Sequence, residues 1–226
     1  MFVDKSMVKD VIAVGPQMSI VAARQTMVQN GIRHLPVVNE EGILIGIVTD
    51  RDLRTAMPSD VLGQTESIEA QRLASIKVED IMSTRPVTIS PSQTLEDALL
   101  MIEMHKVGAF PVVDQDGKLK GILSVRDLMR AFINVLGLRD PGVLIGIIVE
   151  DKQGQMKRIV DAISELNVSF GSILVARVWE EGKRAVFPYL LTNNVARVKK
   201  HLCEKGFTLL DPMQWCLDQG PGKETR

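Results

Sequence analysis

Apolar positions along the first part of the chain fall into short blocks of alternating period, and the same blocks occur twice. The segment from Val3 to Leu53 is matched without a gap by Val78 to Leu128, an offset of 75 positions held at Pro16/Pro91, Pro36/Pro111, Gly46/Gly121 and Asp52/Asp127. Each copy opens with a short β-rich run, Val11–Val14 or Val87–Ile89, that predicts a strand ending near a proline. A helix follows: Ile20, Ala23 and Met27 share a face in the first copy, and Leu95, Ala98, Leu99 and Ile102 in the second, behind a capping-box pattern from Thr94 to Asp97. Next come Leu-Pro-Val-Val or Phe-Pro-Val-Val, a turn at Asn39–Gly42 or Asp114–Gly117, and a second strand over Ile43–Val48 or Lys118–Leu123. A second helix starts near Asp50 or Val125. Each copy is predicted to be β-α-β-β-α, and the methionines at 27, 101, 104 and 129 are read as core filler.

A different pattern begins after the turn-like Leu138–Gly142. Gly142–Val149 is a continuous apolar run suited to a buried strand. Met156, Ile159, Val160, Ile163 and Leu166 then mark one helix face. Strands are expected at Val168–Val178 and Ala185–Leu191, a helix capped by Asn193 or Asn194 carries Val195, Val198 and Leu202, and Phe207–Leu210 closes the unit. The order β-α-β-β-α-β predicts a ferredoxin-like sandwich of one sheet and two helices. The fold class is therefore mixed, α+β with α/β character, and the domains are read as 1–60, a linker at 61–77 with a short helix near 66–75, 78–138, 139–212, and a tail from 213 to 226, whose end from Gly220 is expected to be disordered.

Composition narrows the function. A net charge of −1 and 4% aromatic residues argue against nucleic acid or an anionic membrane as the main partner. Cys203 and Cys216 suggest no disulfide framework, and the expectation is a cytoplasmic protein without a leader or membrane span. His34, His105 and His201 are scattered, and no metal-ligating or nucleophile–base cluster is visible, so neither an enzyme nor a catalytic cofactor is expected. Two copies of one small unit tend to pack on each other, because each alone leaves apolar surface uncovered. The cleft between them would then be built twice from related residues.

The chemistry of that cleft can be read from Thr49-x-x-Asp52 and Ser124-x-x-Asp127. A carboxylate in the first turn of a helix is favoured by the helix dipole, repels phosphate, and can accept hydrogen bonds from vicinal ribose hydroxyls. The preceding hydroxyl, the amides of the helix start, and Arg51 or Arg126 suit the first phosphate. The competing reading is that Thr49/Asp52 and Ser124/Asp127 simply cap their helices and that the arginines are solvated.

The paired segments, Gly46-Ile-Val-Thr49-Asp-Arg-Asp52 with Arg33-His-Leu-Pro-Val-Val38 and Gly121-Ile-Leu-Ser124-Val-Arg-Asp127 with Gly108-Ala-Phe-Pro-Val-Val113, resemble a tandem pair of CBS domains, the adenosine-sensing Bateman module. The third unit resembles an ACT domain through Asp151-x-x-Gly154-x-Met156 and Leu166-Asn167-Val168. The combination is similar to CBS-ACT proteins associated with acetoin utilisation. The resemblance implies AMP, ADP or ATP as ligand, a homodimer, an unknown target protein, and two crossed sites. One would join Thr49, Arg51 and Asp52 to Val87, Val107, Gly108 and Ala109. The other would join Ser124, Arg126 and Asp127 to Ile12, Ile32, Arg33 and His34. Because Arg33 and His34 fall in the second set, that site is expected to prefer di- or triphosphates, and the Thr49/Asp52 site to take AMP or an uncharged adenosine compound, or to stay empty. In the third unit Asp151, Gly154 and Asn167 are candidate effector-binding residues, with a helix cap and a turn as the plainer reading. Alternatives to nucleotide sensing are a dimeric adaptor with decayed sites and a sensor of S-adenosylmethionine or an amino acid.

Overall fold

The computed structural model describes residues 1–57 and 74–210. The helix expected near 66–75 falls almost wholly outside these residues, as does the tail from 213. Two compact units, Met1–Met129 and Arg130–Arg226, divide the chain.

In the first unit each repeat forms around a capped helix and a hairpin. Ser19 starts α1 (Ile20–Asn30) by accepting the Ala22 N–H at 3.2 Å, and Gly31, at φ 62°, ends it. β1 (His34–Val38) and β2 (Leu44–Thr49) then pair antiparallel, and α2 (Asp50–Ala56) follows directly. In the second repeat the capping box is present: Thr94 Oγ1 accepts the Asp97 N–H at 3.1 Å while Asp97 accepts the Thr94 N–H at 2.9 Å. It opens α3 (Leu95–His105), followed by β3 (Ala109–Val113), β4 (Leu119–Ser124) and α4 (Val125–Val135). The two hairpins share one register, Pro36 opposite Ile47 and Pro111 opposite Ile122, and one bulge, before Val38 and before Val113.

The opening strands expected at Val11–Val14 and Val87–Ile89 are reduced to single parallel bridges, Val14 to Val37 and Ile89 to Val112. The prolines explain this. Val14 donates to Pro36 O and accepts from Val38 N–H, but the rungs on either side would need amide hydrogens from Pro16 and Pro36. Pro91 and Pro111 truncate the second copy in the same way.

The repeats exchange their leading segments. Val78 donates to Met18 O, Ile20 to Ile76 O, and Val78 is fully buried in the core of the first repeat with Ile20, Leu35, Val48 and Leu53. In the mirror arrangement Val3 donates to Gln93 O and Leu95 to Met1 O. Further along, Ser83 and Ile47 exchange both backbone hydrogen bonds, as do Val8 and Ile122. Gly46 and Gly121 make this possible. A Cβ on Gly46 would lie 2.5 Å from Met82 Sδ and 3.0 Å from Ser83 O; one on Gly121 would meet Met7 Sδ at 2.5 Å and Val8 O at 3.0 Å.

Two packing expectations fail. Met104 (73% exposed) and Met129 (61%) are not core, and Leu99 lies outside the buried face of α3, which holds Leu95 and Ala98. With Leu99, Leu100, Met101 and Met104 all present, α3 is apolar around much of its circumference, so sequence spacing did not single out the buried stripe.

The second unit has the order β-α-β-β-α-β. The run predicted as one strand is split into β5 (Val143–Leu144) and β6 (Ile147–Glu150). Ile145 N–H donates to Pro188 O at 3.1 Å, and Pro188 has no hydrogen to return. β7 (Ser169–Glu180) and β8 (Lys183–Leu191) form a hairpin through Gly182, and β9 (Thr208–Leu209) lies on the far side of β6. All pairings are antiparallel, in the order β9, β5/β6, β8, β7. α5 (Gln155–Ser164) and α6 (Val195–Glu204), the latter capped by Asn194, bury Ile159, Ile163, Val198 and Leu202 against Ile147, Val186 and Leu190.

Candidate functional site

A cleft of about 510 Å³ opens in the first unit where the exchanged segment crosses the first hairpin. Its walls come from both repeats. The first supplies Arg33 and His34 at the start of β1, Thr49 at the end of β2, and Asp50, Arg51, Asp52 and Arg54 on α2. The second supplies Ser83, Arg85, Pro86 and Val87 from the crossing segment, and Lys106, Val107, Gly108 and Ala109 from the turn before β3. The expected set of Thr49, Arg51, Asp52, Val87, Val107, Gly108 and Ala109 is thus brought together.

Thr49 and Asp52 form a complete capping box on α2. Asp52 Oδ2 accepts the Thr49 N–H at 2.8 Å and the Thr49 hydroxyl at 2.7 Å, and the Thr49 oxygen accepts the Asp52 N–H at 3.3 Å. The capping role is therefore real, and it does not exhaust the carboxylate. Oδ2 is saturated by two donors, whereas Oδ1 has no hydrogen-bond partner among the described residues. A ribose diol would meet one free oxygen held rigid by the cap, rather than a bidentate carboxylate.

His34 stands beside this carboxylate, opposite Thr49 in the β1–β2 register. Its ring faces the second repeat: a Cβ on Gly108 would lie 3.1 Å from Nε2. Burial holds its pKa below the ordinary 6.5, the neighbouring Arg33 pushes it down further, and Asp52 opposes both. The imidazole is neutral near pH 7.

Arg33 and His34 were expected at the other site, leaving this one without cations beyond Arg51. Both line this cleft, because His34 stands opposite Thr49 at the open end of the β1–β2 hairpin. Sequence reasoning also missed Asp50, Arg54, Ser83, Arg85 and Lys106. Arg85 lies two residues before Val87, on the same crossing segment.

Ser124 and Asp127 repeat the cap on α4. The carboxylate accepts the Ser124 N–H at 3.0 Å and the hydroxyl at 2.5 Å, and the Ser124 oxygen accepts the Asp127 N–H at 3.3 Å. The segment leading to Ile12 reaches β4 through the Val8–Ile122 bridge, as the segment leading to Val87 reaches β2. Ile12, Ile32, Ser124, Arg126 and Asp127 lie outside the cleft described above.

A family model for the CBS domain matches this chain twice, over residues 3–59 and 78–134. The chain belongs to the CBS-domain family. The matched segments stand 75 positions apart, the offset of the internal repeat. A CBS domain-containing protein of Dictyostelium discoideum is 34% identical over 134 residues, 59% of this chain and 92% of that protein. Other curated relatives are matched over 46% and 37% of their length. Among solved structures, CBSX2 of Arabidopsis thaliana in complex with AMP shares 29% identity, with a TM-score of 0.50 over 58% of this chain and 96% of that one. A Vibrio cholerae protein provisionally named AcuB, for acetoin utilization, shares 27% identity, with a TM-score of 0.52 over 62% of this chain and 95% of that one. The cleft described above lies between the two CBS domains.

In the second unit the three candidate effector residues have structural work. Asp151 pairs with Arg184 at 2.5 Å and its N–H donates to Gly182 O. Gly154, at φ 86°, is the N-cap of α5, and Asn167, at φ 54°, makes the left-handed turn after it. Among the described residues no group of His, Cys, Asp and Glu is arranged to hold a metal ion, and no helix is long and apolar enough to cross a membrane.

Proposed function

We propose that this protein is a regulatory, non-catalytic sensor whose CBS pair binds an adenine nucleotide between its two repeats and signals through the second unit. The observation that carries the reading is the cleft itself. Apolar Val87 and Val107 from one repeat face a capped carboxylate, Asp52, from the other, with cations around them. Adenine fits between the valines, a ribose hydroxyl donates to Asp52 Oδ1, and phosphate meets the arginines. AMP bound to CBSX2 supports the ligand class.

Binding across two repeats gives a mechanism. A ligand that grips Asp52 and the Gly108 backbone together favours one packing of the repeats, and shifts the population toward it by its differential affinity. A coupling of about 1–3 kcal/mol is typical of such linkage. Ser124 and Asp127 sit at the start of α4, whose chain runs on into the second unit. There Ser172 Oγ donates to Leu136 O at 2.9 Å and Tyr189 Oη to Asp140 O at 2.7 Å. The second unit is read as ACT-like, on its β-α-β-β-α-β order and antiparallel arrangement, and the protein as a cytoplasmic homodimer. Exposed Leu100, Met104 and Met129 support self-association.

Calorimetric titration with AMP, ATP and S-adenosylmethionine tests the reading. Micromolar binding of an adenylate is expected. No binding of any of the three at millimolar concentration would leave the dimeric adaptor as the better account.

A further inference from the structure

Resting on the nucleotide reading of this cleft, we propose that the Thr49/Asp52 cleft is the polyphosphate site of the pair, taking ATP or ADP in preference to AMP, while the repeat-related positions around Ser124 and Asp127 suit an adenosine ligand with little or no phosphate charge. The charge assignment is the reverse of the one that Arg33 and His34 suggest when read in sequence alone.

The walls of the cleft carry five permanent cations against two carboxylates, in a chain whose net charge is −1. The excess is local. Arg54 is spoken for, paired with Asp50 one turn earlier on α2. Arg33, Arg51, Arg85 and Lys106 have no acidic partner among the described residues, so each is available to an incoming anion. They come from separate places: the approach to β1, α2, the crossing segment, and the left-handed C-cap of α3, where Lys106 has φ 54°. Cations held on independent backbone elements can surround a chain of phosphates; cations in one run would repel each other on one side of it. Ser83, anchored to Ile47 by hydrogen bonds of 2.9 and 3.0 Å, fixes where Arg85 enters.

The repeat supplies an internal control. At the 75-residue offset, Arg85 corresponds to Asp10, Lys106 to Gly31 and Arg54 to Met129, and Arg51 alone keeps its charge, as Arg126. Apart from Arg126, the positions matching the cations of this cleft are acidic or uncharged in the other copy. An added phosphate is therefore attracted on one side and gains little on the other.

The test is calorimetry on the full chain with adenosine, AMP, ATP and inorganic tripolyphosphate, for the wild type and for Arg85→Ala/Lys106→Ala, two exposed positions whose loss leaves the core intact. Thermal melts check the fold. The proposal predicts that the wild type binds ATP about tenfold or more tightly than AMP, that the preference fades with added salt, and that the double variant loses most of it while adenosine affinity stays within about twofold. Equal ATP and AMP affinity in the wild type overturns it, as does a variant that loses adenosine and ATP alike. Tripolyphosphate binding without adenosine or AMP binding supports the anion site and sinks the nucleotide reading, so the two failures are distinguishable.

Discussion

The His34 ring lies over Gly108 of the other repeat so closely that a Cβ at 108 would stand 3.1 Å from Nε2 and 3.4 Å from Cε1. This contact sets the spacing of the two repeats at the mouth of the cleft. Gly108→Ala forces the imidazole to give by a few tenths of an ångström. The expected result is a loss of adenylate affinity of a few fold with a melting temperature close to wild type, since His34 is only half buried. Titration and a thermal melt of the same sample check it.

His34 also sets a pH dependence. Its folded pKa is depressed below 6.5, chiefly by burial, while the unfolded chain titrates at the ordinary value. The unfolded state therefore takes up the proton first as pH falls. Stability contributed by the neutral ring is present above about pH 6.5 and is lost as pH drops through the folded pKa. His34→Gln is expected to flatten part of the fall in melting temperature between about pH 7.5 and about pH 5.5. An unchanged pH profile in the variant would show that His34 titrates alike in both states.

Gly46 and Gly121 are predicted to be structural for the exchange of segments. Alanine at 46 meets both the Met82 thioether, which can swing away, and the Ser83 carbonyl, which is tied to Ile47. Gly46→Ala should cost about 1–3 kcal/mol in denaturant unfolding, and Gly121→Ala a similar amount against Met7 and Val8. Gly46→Ala should also weaken the Thr49/Asp52 cleft, because the same shift carries Arg85 and Val87 outward. A Gly46→Ala variant as stable as wild type would mean that the crossing strand is loosely held.

Much of the first unit was legible because each signal was written twice. The turns at Asn39 and Asp114, the cap at Thr94 and the helix starts after Thr49 and Ser124 all follow from local chemistry that sequence carries directly. The opening strands were overcalled because residue preference favoured β, while ladder length was decided by whether Pro16 and Pro36 could donate. The buried face of α3 was blurred because Leu95, Leu99 and Met104 are equally apolar. In the cleft, Thr49 and Asp52 were readable from the repeat, and Val107 through the family resemblance. Arg54, Arg85 and Lys106 were not singled out, since a surface arginine and a cleft arginine differ only in what the fold brings opposite. Arg33 and His34 were paired by motif with the other site, whereas the β1–β2 register also sets the start of β1 beside Thr49.

The most direct measurement is a crystal structure of the full chain grown with AMP. The account predicts a nucleotide whose base lies between Val87 and Val107, whose ribose hydroxyl is within hydrogen-bond distance of Asp52 Oδ1, and whose phosphate points toward Arg33, Arg51, Arg85 or Lys106. AMP bound away from Asp52, or an empty cleft at saturating AMP, would contradict it.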